Sequence, residues 1–309
     1  LRGMGGSVTA DGVVIQDDDK LVGFTYETLL YSGGTVVSGG VNVPELIETA
    51  NDGKDRSVMI RSKATIDRTL QEGGNWRRTK TSTTYDTTYG LAQKVESEGE
   101  VGVSGDESCT QTTYSQNTGL WMLSYVSAVR TIAKLCASWP GTDDDVTNDV
   151  KSWFDGSNEE FTTLPPTKGV VTATSRWLGA GAYQKVATTK VDAYGRTVES
   201  TDVDGAKTTV TYTPSTGNPN TVTTVNRAGW ETKSYLDTAR GSALTEIGLN
   251  GERADLEYDQ LGRLVKVWQP GRSKEARQTP TTEYSYEYRS DAPTVVTTKS
   301  ITEEETYRT

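Results

Sequence analysis

Apolar and polar side chains alternate one for one along much of this chain, the period of a β-strand with one wet face. In Glu283-Tyr284-Ser285-Tyr286-Glu287-Tyr288-Arg289 the three tyrosines fall on one face and the charged and polar residues on the other. Met59, Arg61, Lys63 and Thr65 alternate in the same way with Ile60, Ser62, Ala64 and Ile66. The Gly73-Gly74 turn then leads into a run from Trp76 to Tyr85, so a hairpin is expected there. A sheet that keeps this alternation over many strands must cover its apolar face, or curl and close. The fold class expected is all-β, built from antiparallel hairpins.

The most informative run is Leu256 to Trp268, two alternating strands joined by Tyr258-Asp259-Gln260-Leu261-Gly262-Arg263. Asp259 at the start of the turn can accept backbone N–H bonds. Gly262 can take the left-handed conformation that a bulged hairpin exit needs, and Arg263 opens the return strand. The unit returns degenerately at Val191-Asp192-Ala193-Tyr194-Gly195-Arg196 and at Tyr85-Asp86-Thr87-Thr88-Tyr89-Gly90. Gly195, Gly217, Gly241 and Gly262 stand 22, 24 and 21 residues apart, with Gly205, Gly229, Gly251 and Gly271 interleaved. A turn about every ten residues leaves room for one ordinary strand, such as Thr208 to Tyr212 or Val222 to Val225. Such self-similarity is the mark of a repeat array, in which each hairpin buries a face against its neighbour.

Four regions follow from the pattern. Residues 1–55 mix glycine pairs (Gly5-Gly6, Gly33-Gly34, Gly39-Gly40) with short apolar runs and read as short strands and hairpins. Residues 56–140 form a β-repeat region. Within it Leu123, Val126, Val129, Ile132 and Cys136 also recur at helical spacing, which leaves strand and helix both open for 120–136. Residues 141–187, acidic and proline-containing around Trp153-Phe154, read as an irregular excursion, and the clearest repeats occupy 188–309.

The Tyr-Asp-x-x-Gly-Arg-Leu run from Tyr258 to Leu264 resembles the repeat of the YD-repeat, or Rhs, proteins. The likeness weakens where Val191 replaces the tyrosine, where Tyr89 intervenes before Gly90, and where Leu91 replaces the arginine. Trp268 to Ser273 and Asp106 to Tyr114 are similar to stretches of actinobacterial Rhs proteins. The resemblance implies that the hairpins form part of a large spiralling β-shell, the cocoon that encloses a toxic or otherwise active C-terminal domain in polymorphic toxins and insecticidal toxin complexes; related repeats build the teneurin barrel. It tips 120–136 to strand. It implies a wall section with a structural role for Tyr258, Asp259, Gly262, Arg263, Asp192, Gly195, Arg196, Tyr85, Asp86 and Gly90. Its partners would be the rest of its own shell and an enclosed cargo domain, in a secreted or cell-surface setting. Related shells release cargo at Asp-Pro dipeptides; none of the nine prolines here follows an aspartate, so self-cleavage is not expected.

Composition sharpens this picture. The chain has 309 residues, more than one globular core usually serves, and 49 threonines against three phenylalanines, a balance suited to pleated, half-wet surfaces. A net charge of −10 with no basic run argues against nucleic acid, and no apolar stretch is long enough for a membrane helix. Leu1-Arg2-Gly3-Met4 lacks a signal-peptide core, so any targeting signal is expected outside this segment. Cys109 and Cys136 are either unbonded small hydrophobes or a pair closing a loop of under thirty residues; a largely exported family inclines the reading to the bond.

There is no histidine, which removes Ser-His-Asp and Cys-His triads and the H-E-x-x-H zinc site. No cofactor, metal or enzymatic activity is expected. Asp17-Asp18-Asp19, Asp143-Asp144-Asp145 and Glu303-Glu304-Glu305 read as solvated loop charge, and Asp202-Val203-Asp204-Gly205 as a tight turn. Gly179-Ala180-Gly181 reads as a strand-to-strand turn. Two alternatives remain: a surface-adhesion or carbohydrate-binding module, for which Trp121, Trp139, Trp153 and Trp177 should be exposed on loops, and a glycan-active enzyme, which needs a carboxyl pair across a cleft.

Overall fold

The computed structural model describes residues 6–156, 165–301 and 307–308. It is all-β: among the described residues the helical segments are single 3-10 turns, such as Thr118–Leu120 and Cys136–Ser138. The chain divides into two compact units, Leu1–Val186 and Ala187–Thr309.

In the first unit the strands pair antiparallel in chain order. The meander runs through Glu27–Ser32, Thr35–Asn51, Arg56–Leu70, Trp76–Tyr85, Ala92–Glu100, Ser108–Asn117, Met122–Ile132, Val146–Phe154 and Val171–Gly179. The hairpin at Gly73-Gly74 closes Leu70 onto Trp76. A separate small hairpin, Ser7–Ala10 with Val13–Gln16, packs on the meander through Ala10, Ile15 and Val41, flanked by Val13, Tyr26 and Ile66. Its turn residue Asp11 pairs with both Arg68 and Arg78.

Two expectations are corrected here. Residues 1–55 are not all short strands, since Thr35–Asn51 is 17 residues long. Gly39 and Gly40 lie inside it, where a Cβ would come within 2.9 Å of Leu29 Cδ2 and 2.8 Å of Asp67 Oδ1; the missing side chains make room for neighbours' side chains. Pro44, which has no N–H for the ladder, falls at a register shift after Val43. Residues 141–187 are also more regular than an excursion. Asp143–Asp145 collapse into one 3-10 turn, and Val146–Phe154, Val171–Gly179 and Ala182–Val191 follow as strands. Residues 157–164, part of the expected acidic loop, and Glu303 to Glu305 lie outside the described residues, as do residues 1–5.

For residues 120–136, strand prevails over helix from Met122 to Ile132. The reason is tertiary: the segment pairs on both sides, with Ser108–Asn117 and with Val146–Phe154.

Within the second unit residues 187–191 open an antiparallel meander that runs through Thr197–Asp202, Lys207–Thr213, Thr221–Val225, Glu231–Leu236, Ala243–Ile247, Arg253–Tyr258, Leu264–Trp268, Thr282–Glu287 and Val295–Ile301. All eight glycines of the expected period have positive φ, between 71° and 92°. The tyrosine stripe holds only in part. Tyr284 and Tyr286 are half-buried, whereas Tyr288 lies beyond the strand end and is 69% exposed.

Candidate functional site

The repeat turn is a small machine for satisfying backbone donors. Asp259 Oδ1 accepts from the N–H groups of Leu261 and Arg263, both at 2.9 Å, and Oδ2 accepts from Arg263 Nε at 2.6 Å. Gly262 then donates to the Asp259 carbonyl at φ +79°, and Asp259 N–H closes the loop on the Arg263 carbonyl. Asp192, Gly195 and Arg196 repeat this arrangement, with Oδ1 accepting from Tyr194 and Arg196 N–H and Oδ2 from Arg196 Nε at 2.6 Å. The Arg263 N–H and then its guanidinium hold the Asp259 carboxyl below its ordinary pKa. At Asp192, burial pushes up but the Arg196 contacts outweigh it and leave the pKa lowered.

Asp86 builds a turn one residue longer. Its carboxylate accepts from Thr88, Tyr89 and Leu91 N–H, and Gly90, at φ +66°, donates to the Asp86 carbonyl. The same longer form occurs at Asp237 to Gly241, and Asn226 to Trp230 uses an asparagine in the aspartate's place. Neither was visible as a Tyr-Asp motif. The signal that could have found them is the Asx residue three or four positions before a glycine, which carries the turn without tyrosine or arginine.

Successive turns in the second unit are stitched along one edge. Arg196 donates to the carbonyls of Ser215 at 2.6 Å and Gly217 at 3.1 Å, Asn218 to that of Thr238 at 2.9 Å, and Arg240 to that of Gln260 at 2.6 Å. The turn arginines also lie on tyrosine rings. Arg196 is 4.4 Å from the Tyr212 centroid, and Arg263 is 4.4 Å from Tyr286 and 5.2 Å from Tyr288. Tyrosine hydroxyls complete the pattern, Tyr85 donating to the Ser62 carbonyl, Tyr114 to that of Ala92 and Tyr286 to that of Leu264. Burial raises the pKa of Tyr258, the motif tyrosine.

In the first unit the Asp86 turn borders an open groove of about 730 Å³, lined by Tyr89, Gln93, Lys94, Gln111, Thr113 and Gln116 among others. Cys109 and Cys136 are joined by a disulfide, so of the two states open to them the chain has the bonded one. Cys109 is fully buried beside Ile132, and Glu96 accepts from the Cys136 N–H at 2.7 Å. Beyond the bridge, Trp139 faces the Lys94 ammonium, 5.4 Å from the ring centroid.

A polar network crosses neighbouring strands. Buried Asp149 accepts from Arg130 Nη1 at 3.2 Å and from Tyr183 Oη at 2.8 Å, while Arg130 lies 5.8 Å from the Trp177 ring. Burial, then the bond to Asp149, pushes Tyr183 up to about 12. Asp155, at φ +56°, accepts from four consecutive backbone N–H groups, Thr167 to Val170, at 2.6–3.0 Å. Burial raises its pKa, but those donors together outweigh it and bring the carboxyl to about 2.

The tryptophans differ in setting. Trp153 is 8% exposed, Trp139 and Trp177 are half-buried against cations, and Trp121 stands out at 75%. Among the described residues, no three His, Cys, Asp or Glu side chains gather as a metal site, and no helix is long and apolar enough to cross a membrane.

No family model matches the chain, and no curated protein does. Solved structures do. A TcdB2–TccC3 complex with Cdc42 aligns with a TM-score of 0.60 at 9% identity, over 82% of this chain and 17% of that one. TcdB2–TccC3 without its hypervariable C-terminal region gives 0.57 at 10%, over 82% and 17%. A Photorhabdus luminescens Tc holotoxin pore carrying a TccC3 mutation gives 0.57 at 10%, over 80% and 16%. This chain therefore spans about a sixth of the length of those chains, and what it shares with that part of the Tc toxin assemblies is a fold, an antiparallel sheet of repeated hairpins.

Proposed function

We propose that the chain is a wall section of an Rhs-type β-shell whose work is containment of a C-terminal toxin or effector domain, without turnover of substrate. The observation that carries the reading is the fold likeness to the Tc toxin assemblies over 82% of the chain. The turn chemistry supports it. A wall must keep its register over many strands with little core behind them, and edge bonds from Arg196, Asn218 and Arg240 to the next turn supply register locally. In this reading the partners are the remainder of the same polypeptide and its cargo, and the setting is secreted or cell-surface. The section itself makes no cut in the chain.

The adhesion-module reading needs an aromatic face. Of its four tryptophans Trp153 is buried, and Trp139 and Trp177 are engaged by Lys94 and Arg130. That leaves the shell reading better supported. Electron cryomicroscopy of the full-length polypeptide tests it: a hollow particle with internal density is expected, and a solid domain or a sheet with no lumen would overturn it.

A further inference from the structure

Three strand pairs in this chain share one register, and one of them lacks a side chain that the other two have. In the Asp259 repeat the ladder between Leu264–Trp268 and Thr282–Glu287 stops at Lys266 with Glu283. Arg263, three residues before that pair, fills the gap where the strands part, bonded to Asp259 through Nε and lying 4.4 Å from the centroid of Tyr286, three residues after it. The Asp192 repeat is built alike. Its ladder stops at Glu199 with Thr209, and Arg196 bonds Asp192 and lies 4.4 Å from the Tyr212 centroid.

In the Asp86 repeat the ladder between Ala92–Glu100 and Ser108–Asn117 stops at Lys94 with Gln111. Three residues before that pair stands Leu91, and three after it Tyr114. Tyr114 holds the place of Tyr286, its hydroxyl donating at 2.9 Å to the Ala92 carbonyl as that of Tyr286 donates to Leu264. Asp86 holds the place of Asp259, with Oδ2 2.6 Å from the Leu91 N–H. Leucine brings no guanidinium. Where the strands part there is instead the open groove of about 730 Å³, with Asp86, Leu91 and Tyr114 on its lining.

The electrostatics of the groove fit the missing group. Burial raises the Asp86 pKa, but the N–H groups of Tyr89, Leu91 and Thr88 outweigh it, so the carboxyl is an anion at neutral pH. A carboxylate offers about four acceptor positions, so those three N–H groups leave room for another donor. Burial, and then the Asp86 charge, raises the pKa of the Tyr114 hydroxyl, so the two side chains sense each other. Among the described residues no cation pairs with Asp86: Arg61 reaches the same turn but donates to the carbonyls of Gly90 and Ile60. Lys94 stands over the Trp139 ring, and Lys266, at the same register position, coexists with Arg263. Beyond Gln111, residues 112–117 keep Met122–Ile132 on one side and have no ladder partner in Ala92–Glu100 on the other, an edge to which an extended segment can add.

We propose that this groove binds an arginine of another polypeptide, carried on a segment extended between the two strands, with its guanidinium between the Asp86 carboxylate and the Tyr114 ring as Arg263 lies between Asp259 and Tyr286. The inference rests on the turn geometry and is independent of the shell reading.

Calorimetric titration of the full chain with the capped peptide Thr-Val-Arg-Val-Thr tests it, against the same peptide with citrulline, the neutral isostere, or lysine in the arginine's place. Saturable binding of the arginine peptide is expected, weakened about tenfold or more by citrulline, the scale of a lost charge-assisted bond and cation–ring contact. Lysine, a compact ammonium without the planar fork, should also bind more weakly. Asp86→Asn, which keeps a turn acceptor as Asn226 does, and Tyr114→Leu should each weaken binding about tenfold. Leu91→Arg supplies the guanidinium from within and should abolish binding while raising the urea midpoint. No binding of the arginine peptide, equal binding of the citrulline or lysine peptide, or a Leu91→Arg variant that still binds or is less stable than the parent would each overturn the proposal.

Discussion

The guanidinium of Arg263 lies 4.4 Å from the centroid of the Tyr286 ring, and the Tyr286 hydroxyl donates at 2.8 Å to the carbonyl of Leu264, the residue after that arginine. The two residues thus hold a turn and a later strand together from both sides. Arg263 Nη1 is buried without an oxygen acceptor, so the ring is an electron-rich partner for this cation. Arg196 and Tyr212 repeat the 4.4 Å stack across a different sequence interval. A double-mutant cycle with Arg263→Lys and Tyr286→Leu should return a coupling of about 0.5–1 kcal/mol in urea unfolding. A coupling indistinguishable from zero would remove the stack as a source of stability.

Gly262→Val should lower stability by roughly 1–3 kcal/mol, because a β-branched residue is strained at φ +79°. The cost is conformational, since a Cβ there would meet Arg240 Cδ at an ordinary 3.4 Å. Gln260→Ala should change the urea midpoint little, as Arg240 binds the Gln260 backbone carbonyl, which the substitution keeps. Equal midpoints for the two variants would contradict the turn assignment.

Turns without the Tyr-Asp motif should matter as much as those with it. Asn226→Ala removes an acceptor for two backbone N–H groups, those of Ala228 and Trp230, and should cost about 1–2 kcal/mol. Asp259→Ala should cost at least as much, because its carboxylate also holds Arg263. Chemical denaturation of both variants decides; a neutral Asn226→Ala would confine the stabilising role to the motif turns.

The Asp155 clamp gives a pH dependence of known sign. Its folded pKa, about 2, lies below the ordinary aspartate value of 3.8, so the folded state favours the carboxylate. The contribution is fully present above about pH 4 and is lost as pH falls towards 2. Asp155→Asn should therefore be less stable than the parent at neutral pH and should show a shallower loss of stability between pH 4 and 2. Parallel acid-unfolding slopes would count against the clamp. Gly169→Ala, where a Cβ would stand 2.1 Å from Tyr125 Cε1, should disturb the same segment independently of pH.

Reduction of the disulfide closed between Cys109 and Cys136, 27 residues apart, should lower stability by about 3–4 kcal/mol on the loop-entropy account. Cys136→Ser should do the same and make the protein insensitive to reductant. An unchanged melting temperature on reduction would show that the loop from 133 to 145 is held by its other contacts, Glu96 to the Cys136 N–H among them.

The sequence by itself determined what is local. An Asx side chain reaches N–H groups two and four residues ahead, and a glycine at the loop's exit accepts the left-handed backbone, so Asp192, Gly195, Asp259 and Gly262 announce their turns without any distant partner. Strand alternation is equally local, and with those turns it dictates an antiparallel meander. Glycine was ambiguous where its reason was a neighbour: Gly39 and Gly40 read as a turn, yet they lie mid-strand to admit Leu29 and Asp67. Only the tertiary structure decided which ring each arginine meets, since Tyr212 follows Arg196 by 16 residues and Tyr286 follows Arg263 by 23, a difference set by the 269–281 connection. It likewise chose strand for 122–132, placed Asp155 under the N–H groups of 167–170, and set Gln111 opposite Arg130. Those pairings depend on register between strands, which backbone hydrogen bonding leaves degenerate and which long-range contacts between side chains resolve.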